Sequence, residues 1–149
     1  MGKRQGKELK VLLAASANSG IVGAVENAQV ALGINDQEQV VGDYVTPDGV
    51  RRGFLLSKGT YTNFAAPGAI LTVAEGINNS GVIVGLYMDA NNAQHGFVKS
   101  GGSFTTIDFP KSTATEVNSI NAQGQIVGRY TDTIGVDHGF LGVPEALPY

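Results

Sequence analysis

His95 and His138 are the two imidazoles of this chain, and each stands directly before Gly-Phe. Imidazole titrates near neutrality, so either ring could serve as a general base or a metal ligand. Arg52, however, holds the same place before Gly53 and Phe54, and the three positions are evenly spaced by 43 residues. A position used three times, and open to arginine, answers to folding: it calls for a flat polar side chain beside the phenylalanine. Histidines so far apart also lack the i, i+4 pairing of a helical zinc site.

The carboxylates come next. "DANN" around Asp89 and "DTIGVD" around Asp132 and Asp137 offer oxygen ligands of the kind calcium takes. Neither follows the D-x-[DN]-x-[DN]-G order of a calcium loop, and Asp and Asn are ordinary turn formers. Asp43, Glu75, Asp108 and Glu116 could pair as the two carboxyl groups of a glycosidase, but their spacing brings no two together. There is no G-x-S-x-G elbow, phosphate loop or H-E-x-x-H, and with no cysteine there is no thiolate chemistry. No metal, no cofactor and no catalytic residue is expected.

The elements that would position such residues are written three times. "GINDQEQVVGDY" (33–44), "GINNSGVIVGLY" (76–87) and "SINAQGQIVGRY" (119–130) align without gaps. Identical in all three are Ile34/Ile77/Ile120, Asn35/Asn78/Asn121, Val41/Val84/Val127, Gly42/Gly85/Gly128 and Tyr44/Tyr87/Tyr130, followed by Gly53/Gly96/Gly139 and Phe54/Phe97/Phe140. The chain is one repetitive β domain over 1–149, with full units at 33–75 and 76–118, a partial unit at 119–141 and a degenerate one at 17–32. Shared residues serve every unit and therefore the fold. Residues peculiar to one unit are freer to bind, which selects Arg51, Arg52, Asp89, Asn91, Asn92, Arg129, Asp132 and Asp137 as candidate ligand contacts on strand ends and turns.

Each unit parses into four strands. "QVVGDYV", "VIVGLYM" and "QIVGRYT" alternate with period two, as a half-buried strand does. The mid-strand glycine implies a close visitor, either a neighbouring sheet or the shared tyrosine ring. "RRGFLLS", "QHGFVKS" and "DHGFLGV" form the second strand, "TYTNFAA" and "SFTTIDF" the third, "ILTVAEGIN" and "TATEVNSIN" the fourth. Gly49, Asn92 and Gly135 align in the first connector, and these residue types accept positive φ. "SKGT" and "SGGS" read as hairpin turns. A period of about 40–50 residues with four short strands predicts an all-β fold of antiparallel propeller-like units, with a β-sandwich or β-solenoid as the alternative.

Composition sets the outer limits. The chain is 42% hydrophobic, its 21 glycines are about twice the average usage, and its net charge is −3. Its basic residues gather at the start, with Lys3, Arg4, Lys7 and Lys10 against Glu8, so the body is acidic and not built for nucleic acid. Residues 11–15 before the Ala15-Ser16-Ala17 triplet are fewer than an export signal needs, so the start is not read as a cleaved signal. No apolar run approaches the roughly 20 residues of a membrane helix.

The phrase G-I-N-x-x-G-x-[IV]-V-G-x-Y, with "QHGFV" and "FTTIDFP", resembles the HAF family of probable extracellular bacterial repeats. That resemblance covers 33–141 and implies a repetitive β protein, often exported to the extracellular space or periplasm; it implies no catalytic residues. The expected function is a non-catalytic binding or scaffold protein with a glycan or protein ligand. The alternative is a polysaccharide-acting hydrolase or lyase using carboxylates from different units. About thirteen expected strands make roughly three and a quarter blades, short of the four to eight that close a ring. A homodimer joined through the ends of the array is therefore expected.

Overall fold

The computed structural model describes residues 29–145. The basic start, the export-like triplet and most of the degenerate unit lie outside them. Among the described residues there are eleven strands and no helix, so no helix there is long and apolar enough to cross a membrane. β1 (Gln29–Ile34), β2 (Val40–Val45), β3 (Arg51–Ser57) and β4 (Thr60–Phe64) form an antiparallel four-stranded sheet in sequential order. β5 (Ala69–Ile77), β6 (Ile83–Asp89), β7 (Gln94–Ser100) and β8 (Ser103–Ile107) repeat that meander, and β9 (Ala114–Ile120), β10 (Ile126–Thr131) and β11 (Asp137–Gly142) repeat its first three strands. One parallel pair, Gln94 with Ala114, joins the last two meanders into a seven-stranded mixed sheet.

The sheets are out of phase with the sequence repeat by one strand. "ILTVAEGIN" hydrogen-bonds forward to β6, not back to β4. Each sheet thus starts with the segment that the repeated phrase places last. The cause lies in the connectors: the break at Ala66-Pro67-Gly68 leaves the sheet, whereas Asn78 closes a tight turn between β5 and β6. Thr72 fixes the first of these breaks by accepting the Ala66 N–H at 3.1 Å, and Thr115 does the same for Phe109 at 3.0 Å.

Turn chemistry follows the sequence closely. Gly49, Asn92 and Gly135 have φ of 84°, 64° and 85°, and Lys58-Gly59 turns the first hairpin with φ of 49° and 77°. The visitor at the mid-strand glycine is neither the next sheet nor the tyrosine. A Cβ on Gly42, Gly85 or Gly128 would strike the carbonyl oxygen of Val30, Val73 or Glu116 at 1.8–2.0 Å, with the shared phenylalanine ring at 2.9–3.0 Å. The neighbouring strand of the same sheet comes that close, beside the register shifts in the β5–β6 and β9–β10 ladders.

Core is made where one meander lies on the next. β5 packs across β1, β2 and β3, and β9 across β5, β6 and β7. In the first junction Val41, Leu55 and Phe64 meet Ala74, Ile77, Ile83 and Phe97. In the second, their equivalents Val84, Val98 and Ile107 meet Val117, Ile120, Ile126 and Phe140. A ladder of asparagines ties the same junctions. Asn35 Nδ2 donates to the Asn78 carbonyl and Asn78 Nδ2 to the Asn121 carbonyl, both at 3.0 Å. Each Oδ1 meanwhile accepts two backbone N–H groups of its own turn.

Candidate functional site

Lead strands β1, β5 and β9 converge with their neighbours on a cavity of about 420 Å³. Alternation along each lead strand sends every second residue into it: Val30 and Leu32, then Leu71, Val73 and Glu75, then Glu116. β2 and β3 add Asp43 and Arg51, and β10 adds Arg129. Three carboxylates and two guanidiniums, drawn from all three meanders, therefore share one space with aliphatic walls that include Leu86 and Met88.

Its charges are ordered in pairs. Arg51 donates to Asp43 Oδ2 from Nε at 2.8 Å and from Nη2 at 2.6 Å. Arg129 donates to Glu116 Oε2 from Nε at 3.2 Å and Nη2 at 3.0 Å, and its Nη1 holds Asp137 at 3.0 Å. Asp43 and Arg51 are exchanged at the same repeat positions by Arg129 and Asp137, so the first and third meanders carry one ion pair with its signs reversed. Glu75 has no guanidinium of its own. Burial, then the charges of Glu116 and Asp43, push its carboxyl above the ordinary glutamate value, with Arg51 and Arg129 opposing.

Asp43 is the least satisfied member. The residue is 1% exposed, yet Oδ1 has no hydrogen-bond partner among the described residues. A buried oxygen left in that state costs about 1–3 kcal/mol. Acceptors at Asp43 and Glu75, guanidinium donors beside them and aliphatic walls together suit a ligand with several hydroxyls on a carbon frame.

Of the eight residues selected from sequence, Arg51 and Arg129 line this cavity and Asp137 braces Arg129. The others lie apart from it. Asp89 caps its own turn, accepting the Asn91 and Ala93 N–H groups at 2.8 and 2.9 Å, while Asn92 supplies the positive φ. Asp132 does the same for Ile134 and Val136. The Ala93 and Asn91 amides, then His95, hold Asp89 below the ordinary carboxylate range. For Asp132 the His138 ring acts first, then the Val136 and Ile134 amides. Arg52 sits opposite Tyr44 in the β2–β3 ladder.

The histidines prove to be braces of these turns. His95 stacks on Tyr87 at 5.0 Å and contacts Asp108 at 2.8 Å and Asp89 at 3.4 Å; His138 stacks on Tyr130 at 5.0 Å and contacts Asp132 at 2.8 Å. The flat neighbour is thus the tyrosine, not the phenylalanine. No group of three or more His, Asp or Glu side chains among the described residues could hold a metal ion. Asp43, Glu75 and Glu116, which sequence spacing does not bring together, meet here through the packing of the three meanders. The available signal was on the lead strands: Leu32, Glu75 and Asn118 share one repeat position, and Val30, Val73 and Glu116 another, so the face differs between units where the rest repeats. Compared with family models, with curated proteins and with solved structures, the chain matches none.

Proposed function

We propose that this chain is a propeller-like, non-catalytic binding protein whose units surround a site for a hydroxyl-rich ligand of the glycan class. The propeller-like reading is supported by meanders that stack face on face with their first strands gathered round a common cavity. The ligand reading rests above all on the lining of the cavity, where Glu75 has no guanidinium of its own and Asp43 orients the half-exposed Arg51. Sugar hydroxyls suit Glu75 and the guanidiniums, and sugar C–H faces suit Leu71, Leu86 and Met88.

One observation favours a second reading, hydrolysis or elimination on a polysaccharide. Glu75 retains its proton to higher pH than an ordinary glutamate and stands near Asp43 and Glu116, the combination of acid and carboxylate that glycosidases use. Calorimetric titration with an oligosaccharide panel, run beside a hydrolysis screen, separates the two. Binding that Asp43→Asn weakens by about tenfold or more, or about 1.4 kcal/mol, without turnover, supports the binding protein. Turnover abolished by Glu75→Gln overturns it in favour of the enzyme, and a panel with no ligand overturns the glycan class.

A further inference from the structure

The two internal junctions are copies of one another, and among the described residues the first and third meanders each carry one half of the same junction with nothing against it. On the third meander, Val127 is 46% exposed, whereas its equivalents Val41 and Val84 are fully buried against the next meander. Leu141 beside it is 65% exposed, where Leu55 and Val98 are half-buried. On the opposite side of the first meander, Ile34 is 67% exposed and Ala31 is exposed, whereas Ile77 is 7% exposed and Ala74 and Val117 are fully buried. Both halves are apolar; the third meander's half carries the equivalents of Val41 and Leu55, but among the described residues not that of Phe64, which stands on a fourth strand.

The asparagine ladder has matching loose ends. Asn35 and Asn78 donate to the next meander's carbonyl; Asn35 also donates to its own Gln39, as Asn121 does to its own Gln125, both at 2.7 Å, but among the described residues Asn121 has no following carbonyl for its second N–H. The Asn35 carbonyl, at the other end, accepts only the Glu38 amide of its own turn among the described residues, whereas its equivalents each take an additional asparagine. A donor is available at one end and an acceptor at the other.

We infer that the third meander of one chain docks on the first meander of a second copy, with Val127 and Leu141 covering Ala31 and Ile34 and Asn121 joining the partner's Asn35 carbonyl. The contact is heterologous, so it must either close or grow into a filament. Two chains bring six described meanders, within the four to eight that close a propeller-like ring, so the pair closes as a dimer with two such junctions. That closure rests on the propeller-like reading; the docking itself rests only on the repeated junction, and neither depends on what fills the cavity.

Leu141→Asp and Ile34→Asp test it by light scattering at tens of micromolar. Both side chains are exposed in the single chain, so each variant should keep the parent's circular dichroism spectrum and a cooperative melt, which are recorded as controls. The parent is expected at the mass of two chains and each variant at one. An equimolar mixture of the variants is expected to return to two, because Ile34 of the Leu141→Asp chain and Leu141 of the Ile34→Asp chain rebuild one intact junction. A parent mass of one chain overturns the inference, as does a monomeric mixture. Dimers of Ile34→Asp alone would place the contact on like faces, and a continuous ladder of masses would show that the ring does not close; either result also overturns it.

Discussion

A Cβ placed on Gly85 would sit 2.0 Å from the Val73 carbonyl oxygen and 3.0 Å from the Phe97 ring. Neither neighbour is a flexible tip. Gly85→Ala is therefore expected to cost about 4 kcal/mol or more, in the range reserved for core overpacking and strain. Gly135 has φ of 85° but nothing within 4 Å of the same position, so Gly135→Ala is expected to cost only about 1–2 kcal/mol, the backbone contribution alone. Urea melts of the two variants measure the difference; equal costs would contradict the close approach. Titrating residues predict a pH optimum. Burial disfavours the charged form of His95, but hydrogen bonds to Asp108 and Asp89 outweigh it and raise its pKa. That contribution is complete below about pH 6.5 and is lost as pH rises through the folded value. Glu75, also raised, becomes a growing cost as pH climbs above the ordinary glutamate range. Asp89, Asp132 and Asp137 are lowered, so their contribution is lost as pH falls through their folded values. Stability should peak at about pH 4.5–6, with a higher melting temperature there than at about pH 8, and His95→Gln with Glu75→Gln should flatten the alkaline side. A melting temperature that instead rises from pH 5 to pH 8 would contradict these assignments.

Strands and turns were legible because their chemistry is local. The repeated Gly-Phe segments "RRGFLLS" and "QHGFVKS" coincide with β3 and β7 to the residue, and Gly49, Asn92 and Gly135 mark positive φ because few other side chains tolerate it. Which strands share a sheet was not legible, since identical repeats allow the period to be cut anywhere and only the connectors decide. The asparagine ladder was hidden for a similar reason: an Asn-x-x-Gly turn accounts for Oδ1, while the partner of Nδ2 lies 43 residues away. Removing that amide separates the two roles. Asn78→Ala loses two turn hydrogen bonds and the one to Asn121, about 3 kcal/mol at roughly 1 kcal/mol each. Asn121→Ala loses two turn hydrogen bonds and an exposed one to its own Gln125 but none to another meander, so in the Leu141→Asp background it should cost less, because water replaces an exposed hydrogen bond. Equal losses in chemical melts would remove the ladder from the energetics of stacking.

Across the whole molecule, repetition and difference do separate work. Residues that recur at every 43rd place build junctions: the aliphatics, the glycines, Asn35, Asn78 and Asn121. Those that break the repeat on the lead strands and beside them, Asp43, Glu75, Glu116 and Arg129, meet in the cavity. Their meeting could not be read from sequence, because it depends on how three meanders turn about one another and no local pattern encodes that. Turn residues such as Asp89 and Asp132 differ from the first unit too, yet they are occupied with their own backbone. The most direct test of the account is amide chemical-shift mapping of the ¹⁵N-labelled chain titrated with the oligosaccharide panel. Shifts clustered around Asp43, Glu75, Glu116 and Arg129, and lost in Asp43→Asn, are the predicted result. Shifts confined to the turns at Asp89 and Asp132, with the cavity residues unmoved, would contradict it.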